Sequence, residues 1–130
     1  MKRILIVDDS KTARMMIKRC LEIAGFGDTI FIEASNGEEA LITLRRNPAD
    51  LILTDLNMPV MDGETLLKWL KGSPKTHDIP VIMISSTGNP GRKQRVMEMG
   101  AYAVLGKPIT PELLKESLTE FLPKQTHWGL

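Results

Sequence analysis

Residues 4–10 read ILIVDDS, four branched apolar residues that run directly into Asp8, Asp9 and Ser10. A continuous apolar run of this kind is the pattern of a strand covered on both faces. Two like charges at its end are costly to desolvate, so their placement implies a use for paired carboxylates at the mouth of a buried sheet. The pattern recurs along the chain. Leu51–Thr54 ends on Asp55, Val81–Ile84 on Ser85, Ser86 and Thr87, and Ala101–Leu105 leads into Lys107; Thr29–Ala34 alternates loosely and reads as a further strand.

Helical patterns separate these strands. Ala13, Met16, Ile17, Cys20, Leu21 and Ala24 recur at helical spacing behind a Ser10 cap, with Gly25 as terminator. Asn36–Asn47 and Gly63–Lys71 follow, with Trp69 expected to pack along the latter. Arg92–Met99 is expected as a short helix after an Asn89 cap, and Pro111–Leu122 as the last helix after Thr110. Five strand–helix repeats imply a mostly parallel sheet with helices on both faces. Such sheets bind ligands outside the carboxyl ends of their strands.

The chain has 130 residues, a formal charge of +1 and a single cysteine, Cys20. That fits one domain without an internal disulfide and without a field that would select nucleic acid or a membrane surface. The initial apolar run is too short for a signal peptide or a membrane span, so a cytoplasmic location without membrane insertion is expected. Residues 123–130 read as a short tail too small for an output domain, with Trp128 and His127 in it. His77 reads as a solvated loop histidine and Cys20 as a core residue.

The strand ends bring three carboxylates, hydroxyls and an ammonium to one crevice. Three carboxylates cannot all remain ionised together unaided, and a hard divalent cation with oxygen ligands resolves the conflict. Mg²⁺ suits that set, with Mn²⁺ as a substitute, whereas no His or Cys is present there to suggest zinc or copper. An acidic metal site with a lysine and a hydroxyl suits phosphoryl transfer. Neither GxxxxGK[ST] nor GxGxxG occurs, so the phosphoryl group is expected to land on a protein carboxylate rather than to arrive on a bound nucleotide.

The blocks ILIVDDS, LILTDLNMPVMDG, PVIMISS and GKPIT, in this order and spacing over residues 3–122, resemble the receiver domain of two-component response regulators. The resemblance implies a flavodoxin-like (βα)5 sheet of strand order 2-1-3-4-5, an order the family itself exemplifies, over a receiver domain at 1–122. It implies that Asp55 accepts the phosphoryl group. Asp9 would bind Mg²⁺ directly, Asp8 largely through water, and Asn57 through its backbone carbonyl. Ser85 would reach the phosphoryl oxygen, Lys107 would pair with it, and a cis bond would precede Pro108. A sensor histidine kinase or a histidine phosphotransfer protein would be the donor. The face built from helix 4, strand 5 and helix 5 would then change its protein contacts.

On that reading the chain is a single-domain signalling switch of chemotaxis-regulator type that catalyses its own phosphorylation and dephosphorylation, with no direct contact to nucleic acid. Residues with a switch or interface role would include Ser86, Thr87, Tyr102, Val104 and Pro108, with Met16 as an exposed docking spot on helix 1. Val104 stands where the family usually has a Tyr or Phe, and Tyr102, one pleat earlier, is expected on the same face. Two other readings compete: a Mg²⁺-dependent hydrolase of small phosphomonoesters, and an adaptor that works without phosphorylation. The hydrolase would be expected to carry an acid–base aspartate at the position of Asn57.

Overall fold

The computed structural model describes residues 1–86 and 89–123. Five strands, β1 (Arg3–Val7), β2 (Ile30–Ala34), β3 (Leu51–Asp55), β4 (Val81–Ser85) and β5 (Ala103–Gly106), pair in parallel in the order β2-β1-β3-β4-β5. The order expected from the sequence is the one observed. Every residue of β3 and β4 is buried, as their unbroken apolar runs require, whereas the edge strand β2 is partly exposed.

Helices α1 (Lys11–Leu21) and α5 (Pro111–Ser117) cover one face, where Ile17, Leu21 and Leu114 pack on Ile4, Ile6, Leu53 and Leu105. Helices α2 (Gly37–Arg46), α3 (Gly63–Lys71) and α4 (Pro90–Glu98) cover the other. There Ala40, Leu44, Leu66, Leu70 and Val96 pack on Leu5, Val7, Ile52 and Met83. Each helix starts on a side chain that accepts a backbone N–H: Ser10 from Ala13, Asn36 from Glu39, Asp62 from Thr65, Asn89 from Gly91 and Arg92, and Thr110 from Leu113. These caps satisfy amides the helices cannot pair internally.

Several boundaries differ from the pattern reading. Helix α4 begins at Pro90, because the Asn89 carboxamide already collects the Gly91 and Arg92 amides and proline needs no donor there. Strand β5 begins at Ala103, since Gly100 at φ 108° and the Ala101 N–H bond to the Val96 carbonyl spend residues 100 and 101 on ending α4. Helix α5 stops at Ser117 and gives way to a 3-10 turn over Thr119–Phe121. The Thr119 hydroxyl donates to the Lys115 and Glu116 carbonyls, competing with continuation of the helix. Helix α1 runs into a wide π-type turn, Glu22–Phe26, that closes on Gly25 at φ 122°. Trp69 is 60% exposed rather than packed, because Leu66, Leu67 and Leu70 fill the buried arc of α3. Cys20 is half-buried against the α1 side of the core.

Candidate functional site

Strand register decides which side chains meet. Val7 pairs with Thr54, Asp55 with Ile84, and Ser85 with Gly106. Asp8 therefore emerges level with Asp55, and Lys107 follows one residue beyond the partner of Ser85. By strand alternation Asp8, Asp55 and Lys107 share the parity of Ile6, Leu53 and Leu105, the face covered by α1 and α5.

The side chains converge accordingly. One oxygen from each of Asp8, Asp9 and Asp55 lies within 4.8 Å of the others, with Asp8 and Asp55 buried and Asp9 exposed. Lys107 Nζ stands 3.5 Å from Asp55 Oδ2. Asp8 Oδ1 accepts the Ser10 N–H at 2.8 Å, while its buried Oδ2 has no hydrogen-bond partner among the described residues. Burial raises the Asp8 pKa above the ordinary carboxylate value. The Ser10 N–H bond opposes this, the Asp55 charge adds to it, Lys107 opposes it and Asp9 adds a smaller push. A buried, orphaned carboxylate oxygen facing two further carboxylates fits a hard cation with oxygen ligands. Mg²⁺ is a cation of that kind, which keeps several waters beside a few carboxylates.

The Asn57 N–H donates to Asp55 Oδ1 at 3.4 Å, which leaves the Asn57 side chain to act elsewhere: its Oδ1 accepts from Arg92 Nη1 at 3.0 Å. Ser85 is buried at the end of β4, where its carbonyl accepts the Lys107 N–H at 2.9 Å. Ser86 is exposed beside it, and Thr87 lies outside the described residues. The Lys107–Pro108 peptide is cis. Met16 is 62% exposed and borders a groove shared with Ala13, Ile17, Lys107, Pro108 and Ile109.

Tyr102 departs from expectation. It lies ahead of β5, where strand alternation does not set its direction. Its ring packs on Phe121 at a centroid distance of 5.1 Å, on the α5 side of the sheet. Val104 packs toward the α2–α3–α4 side instead and borders a crevice with Ser85, Arg92 and Lys93.

Gly63 builds the floor of the loop that carries Asn57. Its N–H donates to the Leu56 carbonyl, and a Cβ there would collide with the Asp55 backbone oxygen and meet Leu56 Cα at 3.0 Å. Asp62 caps α3 while Gly63 admits the backbone at the end of β3. Gly63→Ala should destabilise the fold by about 3 kcal/mol, the upper part of the range for overpacking against rigid neighbours. Urea denaturation checks this, and a midpoint unchanged from the parent would contradict it.

Two residues at the site escaped the sequence reading. Arg14 Nη1 donates to the Asp8 carbonyl at 2.6 Å while its Nε pairs with Glu33 at 2.9 Å, fixing the turn that aims Asp8. Arg92 reaches Asn57 across 35 residues of sequence. The only available signal was charge in the first turn of α1 and α4, a place that usually holds acids.

A profile of the response regulator receiver domain matches residues 4–119. The chemotaxis protein CheY homolog of Campylobacter jejuni is 36% identical over 121 residues, covering 92% of both chains. The chemotaxis protein CheY1 of Helicobacter pylori is 37% identical over 117 residues, covering 89% of this chain and 93% of that one. Among solved structures, the chemotaxis response regulator CheY4 of Vibrio cholerae superposes with a TM-score of 0.81 at 32% identity, over 94% of this chain and 99% of the other. With the fold, the strand-end acids and the whole-domain match in agreement, the chain belongs to the response regulator receiver domain family.

Proposed function

We propose that Asp55 accepts a phosphoryl group in a Mg²⁺-dependent reaction, and that this modification switches protein contacts at the α4–β5–α5 face. The observation that carries the reading is the convergence of Asp8, Asp9 and Asp55 oxygens within 4.8 Å beside the Lys107 ammonium. Asp8, Asp9, Asp55 and the Asn57 carbonyl would hold Mg²⁺, which when bound supplies a divalent charge against the phosphoryl oxygens.

The chain's own groups do the rest. An Asp55 carboxylate oxygen attacks phosphorus as the bond from phosphorus to the donor, an imidazole nitrogen of phosphohistidine or the oxygen of acetyl phosphate, breaks in line. The donor leaves with that electron pair. Lys107 holds one phosphoryl oxygen as charge shifts onto it, and the Ser85 hydroxyl donates to another. Water then hydrolyses the acyl phosphate and restores Asp55. A sensor histidine kinase or a histidine phosphotransfer protein is the donor on this reading. The apolar groove beside Met16 and Pro108, adjoining Lys107, supports docking on that side of the site. Asn57, a neutral side chain two residues past Asp55, supports a receiver over a phosphomonoester hydrolase, which needs an acid–base group there.

Incubation with acetyl phosphate and Mg²⁺, followed by mass spectrometry and peptide mapping, tests the reading. One phosphoryl group on the peptide containing Asp55, labile to hydroxylamine as an acyl phosphate is, is the expected result. No incorporation, or steady turnover of a generic phosphomonoester, would contradict it.

A further inference from the structure

We propose that Arg92 is the residue through which α4 senses a phosphoryl group on Asp55. This rests on the reading of Asp55 as the acceptor. Arg92 lies in the first turn of α4, and its guanidinium spans to the neighbour of the acceptor. Nη1 donates to Asn57 Oδ1 at 3.0 Å, and the Asn57 N–H lies 3.4 Å from Asp55 Oδ1. Its Nε is buried and has no partner among the described residues. The same side chain borders the crevice where Ser85, Leu56 and Val104 come together at the carboxyl ends of the strands.

A guanidinium presents five N–H donors in a fork that fits phosphate oxygens two at a time. Here it holds a neutral carboxamide oxygen and keeps a buried donor without a partner among the described residues, an arrangement that is costly unless another state satisfies it. Phosphorylation of Asp55 would place charged oxygens beside Asn57. Hydrogen bonds to an ionised acceptor are stronger than those to an amide oxygen. The guanidinium therefore exchanges Asn57 for the phosphoryl group and also pairs Nε, drawing the first turn of α4 toward the site. A ligand shifts a conformational equilibrium only through contacts that differ between the two states, and this exchange is such a contact. Arg92 is a positioning residue for the signalling output: the chemistry stays with Asp55, Lys107 and Ser85.

The test follows backbone amides by ¹⁵N–¹H NMR while Mg²⁺ and beryllofluoride, a phosphoryl mimic, are added. In the parent chain, amides at Asp55 and Lys107 and those along α4 should all shift. In Arg92→Gln, which keeps the side-chain stem, Asp55 and Lys107 should respond as before while the α4 shifts fall by about half or more. Arg92→Lys should recover part of the α4 response, because it restores charge without the fork. An α4 response in Arg92→Gln equal to that of the parent would overturn the proposal while leaving the acceptor reading standing. A parent chain whose Asp55 and Lys107 amides do not respond would overturn both.

Discussion

Asp55→Asn is expected to abolish phosphoryl acceptance from acetyl phosphate, by at least about a thousandfold, because a carboxamide oxygen is a far poorer nucleophile than a carboxylate. The fold should survive. Asp55 stands 3.5 Å from the Lys107 ammonium, and its removal loses that pair, but Lys107 is partly exposed and the pair is correspondingly weakened by solvent. The same change relieves the repulsion that Asp55 exerts on the buried Asp8. The melting temperature without metal should therefore stay level or rise, by up to about 5 °C. Mass spectrometry reads the first effect and thermal unfolding the second. Phosphoryl incorporation retained in Asp55→Asn would move the acceptor elsewhere.

The second large effect is the response of stability to Mg²⁺. A cation that binds only the native state at a hundred times its dissociation constant stabilises by about 2.7 kcal/mol. Saturating Mg²⁺ should raise the melting temperature, and Asp9→Ala should remove most of that rise. Asp9 is the exposed member of the cluster, so its replacement leaves the core unchanged.

The metal-free protein should show the converse with pH. The Asp8 pKa is raised in the native state, chiefly by burial, so the native state binds more protons than the unfolded state above the ordinary carboxylate value. Stability from this group is therefore present at low pH and declines as pH rises through the native Asp8 pKa. Asp8→Asn should flatten that decline, and Mg²⁺ should oppose it by compensating the ionised form. Asp50 works in the opposite sense. Its Oδ2 accepts the Arg3 and Lys2 N–H groups, which lower its pKa, so its contribution is lost as pH falls through that value. An unchanged metal response in Asp9→Ala would refute its role as a ligand.

The parallel sheet was legible because β1, β3 and β4 are buried and must be apolar without interruption, while its strand order was implied by the family resemblance. The strand-end acids were legible because they interrupt those runs. Positions set by local competition were harder to read. The early start of β5 suggested by Ala101 gave way to the Gly100 turn, and α5 was cut short where the Thr119 hydroxyl takes the Lys115 and Glu116 carbonyls. Tyr102 was assigned a face by an alternation that does not reach it. Trp69 was expected to pack along α3, but three leucines already fill the buried arc of that helix. Arg14 and Arg92 act through long side chains that cross between elements, and spacing along the chain carries no trace of such contacts.

A crystal structure of the protein with Mg²⁺ and beryllofluoride tests the central claim most directly. Beryllium bonded to an Asp55 carboxylate oxygen is predicted, with the metal at about 2.1 Å from oxygens of Asp9 and Asp55 and Lys107 on a fluoride. Beryllofluoride bound at another residue, or a metal that leaves the Asp8, Asp9 and Asp55 oxygens without contact, would contradict it.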